Sequence, residues 1–112
     1  MRWNVEMTDE FEKWLESLTV AERNSVLVSI RLLEEAGPLL PRPHSDTLKG
    51  SKFGNMKELR TQHAGKPFRS IYAFDPHRTA ILLIGGCKAG DNRWYKKYIP
   101  IADKLYQEHL DS

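Results

Sequence analysis

The sequence predicts an α+β fold, in which a small antiparallel sheet has an N-terminal helical hairpin packed on one face and is followed by a C-terminal helix. Three patterns support this prediction: helical apolar spacing over the first third of the chain, alternating apolar residues from about residue 57, and a second helical pattern near the end. The 112 residues are expected to form one domain, residues 1–112, because either half alone is too small to bury a core.

The N-terminal third is predicted to contain one strand and two helices. Apolar residues alternate within residues 2–7, as in a short half-buried strand. Residues 8–10 begin a helix with acidic side chains in its first turn. The run Thr19-Val20-Ala21-Glu22 is a capping box that begins a second helix, which Gly37-Pro38 ends. One cap residue separates the helices, so they are expected to form a hairpin; the predicted buried stripe of the second helix is Val26, Leu27, Ile30 and Leu33.

The second half is predicted to form the rest of the sheet. Residues 38–54 are rich in proline and glycine and have no sustained period, which indicates a long ordered loop. The expected strands are 57–62, 68–74 and 79–84, joined by turns at 63–67 and 75–78. Residues 79–84 are apolar and β-branched, as in a strand buried on both faces, and Gly85-Gly86 is expected to end it. Pro100 fits the first turn of a last helix that carries Ile101, Leu105 and Tyr106. The resulting order, β-α-α-β-β-β-α, predicts helices packed on one face of the sheet.

Charge is distributed unevenly along the chain. The net charge is only +2, but residues 57–97 contain nine Lys and Arg against three Asp and Glu, a local excess of +6. A basic half of this kind favours a polyanionic partner.

Composition excludes several classes of protein. The longest apolar run, residues 80–84, is far too short to span a bilayer, and no secretory signal pattern opens the chain. The single cysteine, Cys87, cannot form an internal disulfide or a zinc site, which fits a reducing, cytoplasmic location. The basic half lacks clustered carboxylates, so no metal and no other cofactor is expected.

The remaining candidate site is basic and aromatic. Cations bind phosphates and aromatic rings stack on bases, so this mixture is typical of a single-stranded nucleic-acid surface. The same residues also fit a simpler role as solvated cations and aromatic residues that cover the core. RNA chemistry needs no metal here, because the 2′-OH of RNA supplies the nucleophile and side chains can move the protons. The set consists of Arg60, Arg69, Lys88, Arg93, Trp94 and Tyr95, with His63 and Tyr72 near it.

Several short motifs resemble the RelE/ParE superfamily of toxin–antitoxin toxins, in particular its HigB-like and phage-encoded RelE-like branch. The motifs cover nearly the whole chain in the order of that family: residues 56–60 (MKELR), 68–72 (FRSIY), 81–86 followed by Lys88, and 98–103 (YIPIAD). The resemblance implies a toxin that is a ribosome-dependent mRNA endonuclease, which cuts by 2′-OH attack without metal and inhibits translation.

The resemblance also implies roles for individual residues. Arg69 matches the strand arginine that stabilises the phosphate, and Tyr95 follows the loop lysine Lys88 at the family spacing. We therefore expect these three residues to be catalytic. The expected RNA-binding residues are Lys57, Arg60, His63, Arg93 and Trp94. The chain departs from the pattern at Ala89, where the RelE branch has a basic residue, and in the lysines of the strand before Arg69.

The implied partners are the ribosome, mRNA and a cognate antitoxin, expected to be a helix-turn-helix protein; no membrane partner is expected. Two alternatives stay open at this point. One is a ParE-like inhibitor of DNA gyrase that does not cut RNA, and the other is a basic nucleic-acid-binding module without toxicity. Fold alone does not decide among them.

Overall fold

The computed structural model describes residues 2–112. It contains five strands and three α-helices within that range, in the order β1 (Val5–Met7), α1 (Asp9–Ser17), α2 (Val20–Ala36), β2 (Ser45–Thr47), β3 (Lys57–His63), β4 (Lys66–Phe74), β5 (Ala80–Cys87) and α3 (Trp94–Asp111). A short 3₁₀ turn, Gly37–Leu39, follows α2. The α+β prediction is confirmed.

The sheet has the strand order β1-β5-β4-β3-β2. Four of its strands pair antiparallel, but β1 runs parallel to β5, so the prediction of a purely antiparallel sheet was wrong at this edge. Strand β2 lies within residues 38–54, which were predicted to be a loop. Its three residues pair with β3, and a strand this short carries no alternation that a sequence pattern can reveal.

The N-terminal helices begin where the sequence predicts. The Thr8 side chain accepts a hydrogen bond from the Phe11 amide, and Thr19 and Glu22 form the complete capping box at the start of α2. Phe11 and Leu15 of α1 are buried, and so are Val26, Ile30 and Leu33 of α2. Leu27 is 38% exposed, so its place in the predicted stripe was wrong.

Two hydrophobic cores lie on opposite faces of the sheet. Helices α1 and α2 pack with Leu59, Phe68, Tyr72 and Leu82 in one core. Helix α3 packs with Ile71, Ala73, Ile81 and Leu83 in the other. Alternation along β4 and β5 therefore feeds both cores, and the prediction that all helices share one face was wrong for α3.

Strand β5 continues through the two glycines that were predicted to end it. A Cβ atom on Gly85 would collide with the Trp14 ring, and one on Gly86 would lie 2.8 Å from Trp94 Nε1. The glycines therefore let one tryptophan pack against each face of the strand, which is a reason for glycine inside a sheet that a turn signal does not distinguish.

Helix α3 begins at Trp94, two turns earlier than predicted. Asp91 prepares this start, because its side chain accepts from the Arg93 amide at 2.9 Å. Pro100 lies inside the helix, so its predicted place at a helix start was wrong. Ile101 is 42% exposed, whereas Leu105 and Tyr106 are buried as expected. Within residues 2–112, no helix is long and apolar enough to cross a membrane.

Candidate nucleic-acid interface

The candidate site is organised around one buried carboxylate, Glu58, which is 3% exposed. Its Oε1 accepts a hydrogen bond from the Tyr95 hydroxyl at 2.6 Å and lies 3.4 Å from Arg69 Nε. Its Oε2 accepts from Arg60 Nε at 3.2 Å and from Arg60 Nη2 at 3.1 Å. One carboxylate thus gathers two arginines and a tyrosine, which is the pairing that a buried charge requires.

Strand alternation and register bring these residues together. Glu58 and Arg60 are two positions apart on β3, so their side chains lie on one face of the sheet. Arg69 of β4 is directly opposite Arg60, and directly opposite residues share a face. That face is covered by α3, whose first turn supplies Tyr95.

The two arginines differ in how they are held. Arg60 also reaches Asp46 of β2, with Nη2 3.3 Å from Oδ2. The side chain of Arg69 is only 12% exposed, and its Nη1 donates to the Phe68 carbonyl at 2.9 Å. Arg69 is therefore an internal residue of the central strand β4.

Tyr95 is held in its protonated form. Burial raises the pKa of its hydroxyl above the ordinary value, and the hydrogen bond to Glu58 raises it further, while Arg69 acts in the opposite direction. Lys88 Nζ lies 5.5 Å from the centre of the Tyr95 ring, within the range of a cation–π contact. The structure thus brings Lys88 to the same cluster as Tyr95 and Arg69.

Not every predicted site residue reaches this cluster. Lys57 is opposite Tyr72, which belongs to the core under α1 and α2, so Lys57 lies on the other face. His63 lies on that face as well, because its Nδ1 is 2.7 Å from Ser25 Oγ of α2. Lys57 and His63 therefore lie apart from the Arg69 cluster, and their role in RNA binding stays a prediction.

The aromatic pair at the start of α3 is divided between core and surface. Trp94 is 2% exposed and stacks on Tyr98, with ring centres 4.6 Å apart. A ring buried in this way cannot stack on a base, so the prediction of Trp94 as an RNA-binding residue was wrong. Arg93, immediately before it, is exposed and available to a polyanion.

Two functional candidates were missed from the sequence, Glu58 and Asp46. Glu58 stood out only as an isolated carboxylate among cations. Its position two residues before Arg60 on an alternating strand was the available signal, because it places opposite charges side by side on one face. Asp46 lies in the short strand β2, which the sequence does not reveal.

The described residues hold no group of three or more His, Cys, Asp or Glu side chains arranged to bind a metal ion. What the cluster offers instead is donors: two guanidinium groups, an ammonium and a phenol. Guanidinium groups bind phosphate oxygens in bidentate fashion, and a protonated tyrosine can donate a proton.

Comparison with known proteins identifies the family. The model of the family described as "Phage derived protein Gp49-like" matches residues 13–107. The chain belongs to this family. It is 48% identical over 104 residues to HigB3 of Mycobacterium tuberculosis, named as a toxin, with 92% of this chain and 90% of HigB3 covered.

A second relative and two solved structures are also similar to this Gp49-like chain. HigB2 of Mycobacterium tuberculosis, also named as a toxin, is 41% identical over 110 residues, which are 96% of this chain but only 54% of HigB2. A mutant of the Escherichia coli toxin RelE in the free state superimposes with a TM-score of 0.65 at 9% identity, covering 96% of this chain and 98% of RelE. RelE in the archaeal RelE–RelB complex of Pyrococcus horikoshii gives 0.57 at 22% identity, covering 80% and 99%.

These matches confirm the resemblance recognised in the sequence. The two relatives identify the HigB type of toxin, and the two solved structures, both below 25% identity, identify only the fold. The Gp49-like chain is a toxin of the HigB type, and it has the fold of RelE.

Proposed function

We propose that this HigB-like toxin is an mRNA endonuclease that acts on the ribosome, cuts by attack of the RNA 2′-OH without a metal or other cofactor, and thereby inhibits translation. The observation that carries the proposal is the convergence of Arg60, Arg69 and Tyr95 on Glu58, with Lys88 beside the Tyr95 ring. These side chains are the hydrogen-bond donors that stabilise negative charge on a scissile phosphate. They lie together in a largely buried site, where electrostatic interactions are stronger than in water.

Each member of the cluster has a proposed role. Arg69 stabilises charge on the scissile phosphate, and Arg60 supports it from the opposite strand. The RNA 2′-OH attacks the phosphorus and gives up its proton to solvent water, while the Tyr95 hydroxyl, protonated at neutral pH and with a pKa raised above the ordinary value, donates a proton to the 5′-oxygen as its bond to phosphorus breaks. Lys88 adds positive charge at the open side of the cluster. Arg93, which is exposed next to it, binds the RNA backbone.

The proposed partners are the ribosome with its mRNA, in the cytoplasm, and a cognate antitoxin that binds the free toxin. The archaeal structural neighbour is a RelE–RelB complex, which supports an antitoxin partner. A helix-turn-helix antitoxin is the expectation drawn from the resemblance to the HigB-like branch.

One observation favours a second candidate, inhibition of DNA gyrase in the manner of ParE. Arg60 and Arg69 are already paired with carboxylates, so part of the charge that RNA binding uses is neutralised inside the protein. A toxin of this fold that binds a protein target would not need those arginines to be free.

The test is induced expression without antitoxin, with incorporation of labelled methionine and thymidine measured in parallel. We expect growth arrest, with methionine incorporation failing first and new 5′ ends appearing within translated transcripts. In a purified translation system, cleavage should persist at the lowest free Mg²⁺ that the ribosome tolerates. Early loss of thymidine incorporation with intact transcripts would establish the gyrase alternative, and unimpaired growth would indicate a non-toxic module.

A further inference from the structure

A groove opens beside the cluster, between α2 and the end of β3. Strand β2 pairs with β3 only at Lys57–Leu59, and one further bond, from the Arg60 amide to the His44 carbonyl at 2.8 Å, ends that edge. Beyond it, α2 overhangs the strand edge and encloses about 550 Å³. Arg60 and Arg69 line this space as well, so the groove is continuous with the arginine cluster.

The main chain of β3 presents hydrogen-bonding groups to this groove. The Arg60 amide bonds His44, and its carbonyl accepts from Ser29 Oγ at 3.5 Å, so both groups point away from β4. In an antiparallel pair, every second residue points its amide and carbonyl outward. Gln62 therefore also directs its N–H and C=O into the groove. Its neighbour across the ladder is Pro67, which has no N–H to offer.

The other walls are suited to a flat ring. Val28 and Leu32 of α2 line the groove together with Pro43 and His44. An unstacked nucleobase has two apolar faces and an edge of donors and acceptors, which proteins read with main-chain and polar groups. The groove offers apolar walls, one main-chain donor and acceptor pair at Gln62, and two arginines at its end.

We propose that this groove binds one nucleobase of the RNA substrate, next to the phosphate held by Arg60 and Arg69. The inference rests on the proposed endonuclease function. It adds a binding site that recognises the base next to the cleaved phosphodiester bond. The two arginines at the end of the groove favour RNA over a peptide strand as the occupant. In a nucleotide the phosphate lies at a fixed short distance from the base, so the base and the phosphate can occupy the groove and the arginine site together.

The test removes the outward Gln62 amide without touching the ladder. Gln62→Pro removes this N–H together with the side chain, and proline is tolerated where the amide of an edge strand faces outward. Gln62→Ala is the matched control, because it loses the same side chain but keeps the N–H. Val28→Trp fills the groove from the helix, at a position that is 59% exposed and so does not disturb the fold.

The measurement is the base composition on each side of the cut, over all transcripts cleaved on ribosomes. Wild type and Gln62→Ala should share one base preference beside the cut. In Gln62→Pro and Val28→Trp that preference should fall about 3- to 10-fold, the value of one hydrogen bond, while cleavage continues. If Gln62→Pro does not fold, Val28→Trp decides. An unchanged preference in the folded variants overturns the proposal.

A second readout works even if wild type does not cleave, in which case the endonuclease function fails on its own. Amide NMR spectra of the full chain are recorded while a single-stranded oligoribonucleotide is added. Shifts at Gln62 and residues 25–32, absent in Val28→Trp, support the base site. No shift in the groove overturns it, and so does a groove that responds to antitoxin peptides but not to RNA.

Discussion

Glu58 sets the energetic role of the residues around it. Its carboxylate is almost fully buried and is shared by Arg60, Arg69 and Tyr95. A buried charge is tolerated only while its partners remain, and removing one partner leaves desolvated groups without compensation. Each residue of the cluster is therefore expected to contribute to stability in addition to its proposed role in cleavage.

Arg69→Ala should lower both activity and stability. Loss of a charge stabiliser should slow transcript cleavage about 10²- to 10³-fold. The free energy of unfolding should fall by about 1–3 kcal/mol, because Glu58 keeps Arg60 and Tyr95 but loses one buried partner. Urea unfolding and cleavage on ribosomes measure the two effects. This cost exceeds the value of up to about 1 kcal/mol that a peripheral arginine would give.

Arg93→Ala is the matched control for Arg69→Ala, since Arg93 is exposed. It should leave the free energy of unfolding within about 0.5 kcal/mol of wild type. An Arg69→Ala protein that is folded and cuts at the wild-type rate would remove Arg69 from the mechanism.

The secondary elements could be predicted where their signals are local. The capping box of α2 and the turn between β3 and β4 depend on neighbouring residues, and both were predicted correctly. Gly85, Gly86 and Pro100 were misassigned, because their roles depend on residues far away in sequence. Trp14 and Trp94 pack against Gly85 and Gly86, at positions where any side chain on the glycines would collide with the rings. Pro100 is retained within a helix whose apolar face, with Ile99 and Ala102, is buried on the sheet.

The candidate site follows the same rule. Alternation places Arg60 and Glu58 on one face, although Glu58 was not singled out from the sequence. Lys88 and Tyr95 were both named as candidates from the family resemblance, and the structure brings them together. The register between β3 and β4, which sets Arg69 opposite Arg60, is a long-range property. The division of Trp94 and Tyr95 between core and surface depends on where α3 begins, and the sequence placed that start two turns too late.

The capping box also predicts how stability depends on pH. Glu22 caps the Thr19 amide, and its carboxylate is 2.7 Å from Nζ of Lys66, the first residue of β4. The hydrogen bond to Lys66, with the Thr19 amide, lowers the pKa of Glu22 from 4.5 to about 2. A lowered folded-state pKa contributes stability that is complete above the unfolded-state pKa and is lost as pH falls through the folded-state pKa. This contribution should therefore disappear between about pH 5 and pH 2.

The measurement compares wild type with Glu22→Gln from pH 7 to pH 2. Wild type should be more stable at pH 7, and the difference should shrink as pH falls below 5. Glu16→Gln, at an exposed site on α1, is the control for loss of a carboxylate. A difference that stays constant down to pH 2 would mean that the Glu22–Lys66 pair does not couple α2 to the sheet.

At the scale of the whole molecule, fewer cations are free to bind a polyanion than the nine in residues 57–97 suggest. Of the nine cations in residues 57–97, four lie in ion pairs with carboxylates: Arg60, Lys66, Arg69 and Lys97. Arg78 lies over the Trp3 ring, 4.7 Å from its centre, and Lys57 lies on the face of α1 and α2. Among the described residues 2–112, the cations of this region left for a polyanion are Lys88, Arg93 and Lys96.

This count predicts the salt dependence of RNA binding. Three cations that each displace a counterion from single-stranded RNA give a slope of log K against log salt of about −2, from about −0.7 per contact. Arg60 and Arg69 add little to this slope. When they bind a phosphate they replace their internal partner Glu58 rather than counterions from solution. The affinity for a non-cleavable, 2′-deoxy-substituted oligonucleotide, measured across salt concentrations, gives the slope.

Two variants separate surface charge from paired charge. Arg93→Gln should make the slope shallower by about 0.7. Glu58→Gln should make it steeper, because Arg60 and Arg69 then lose their internal counter-charge and meet the phosphate carrying solution counterions. If Glu58→Gln binds RNA with the wild-type slope, the arginines do not reach the RNA. In that case the cluster is a structural device of the fold, and the target of this toxin is sought among proteins.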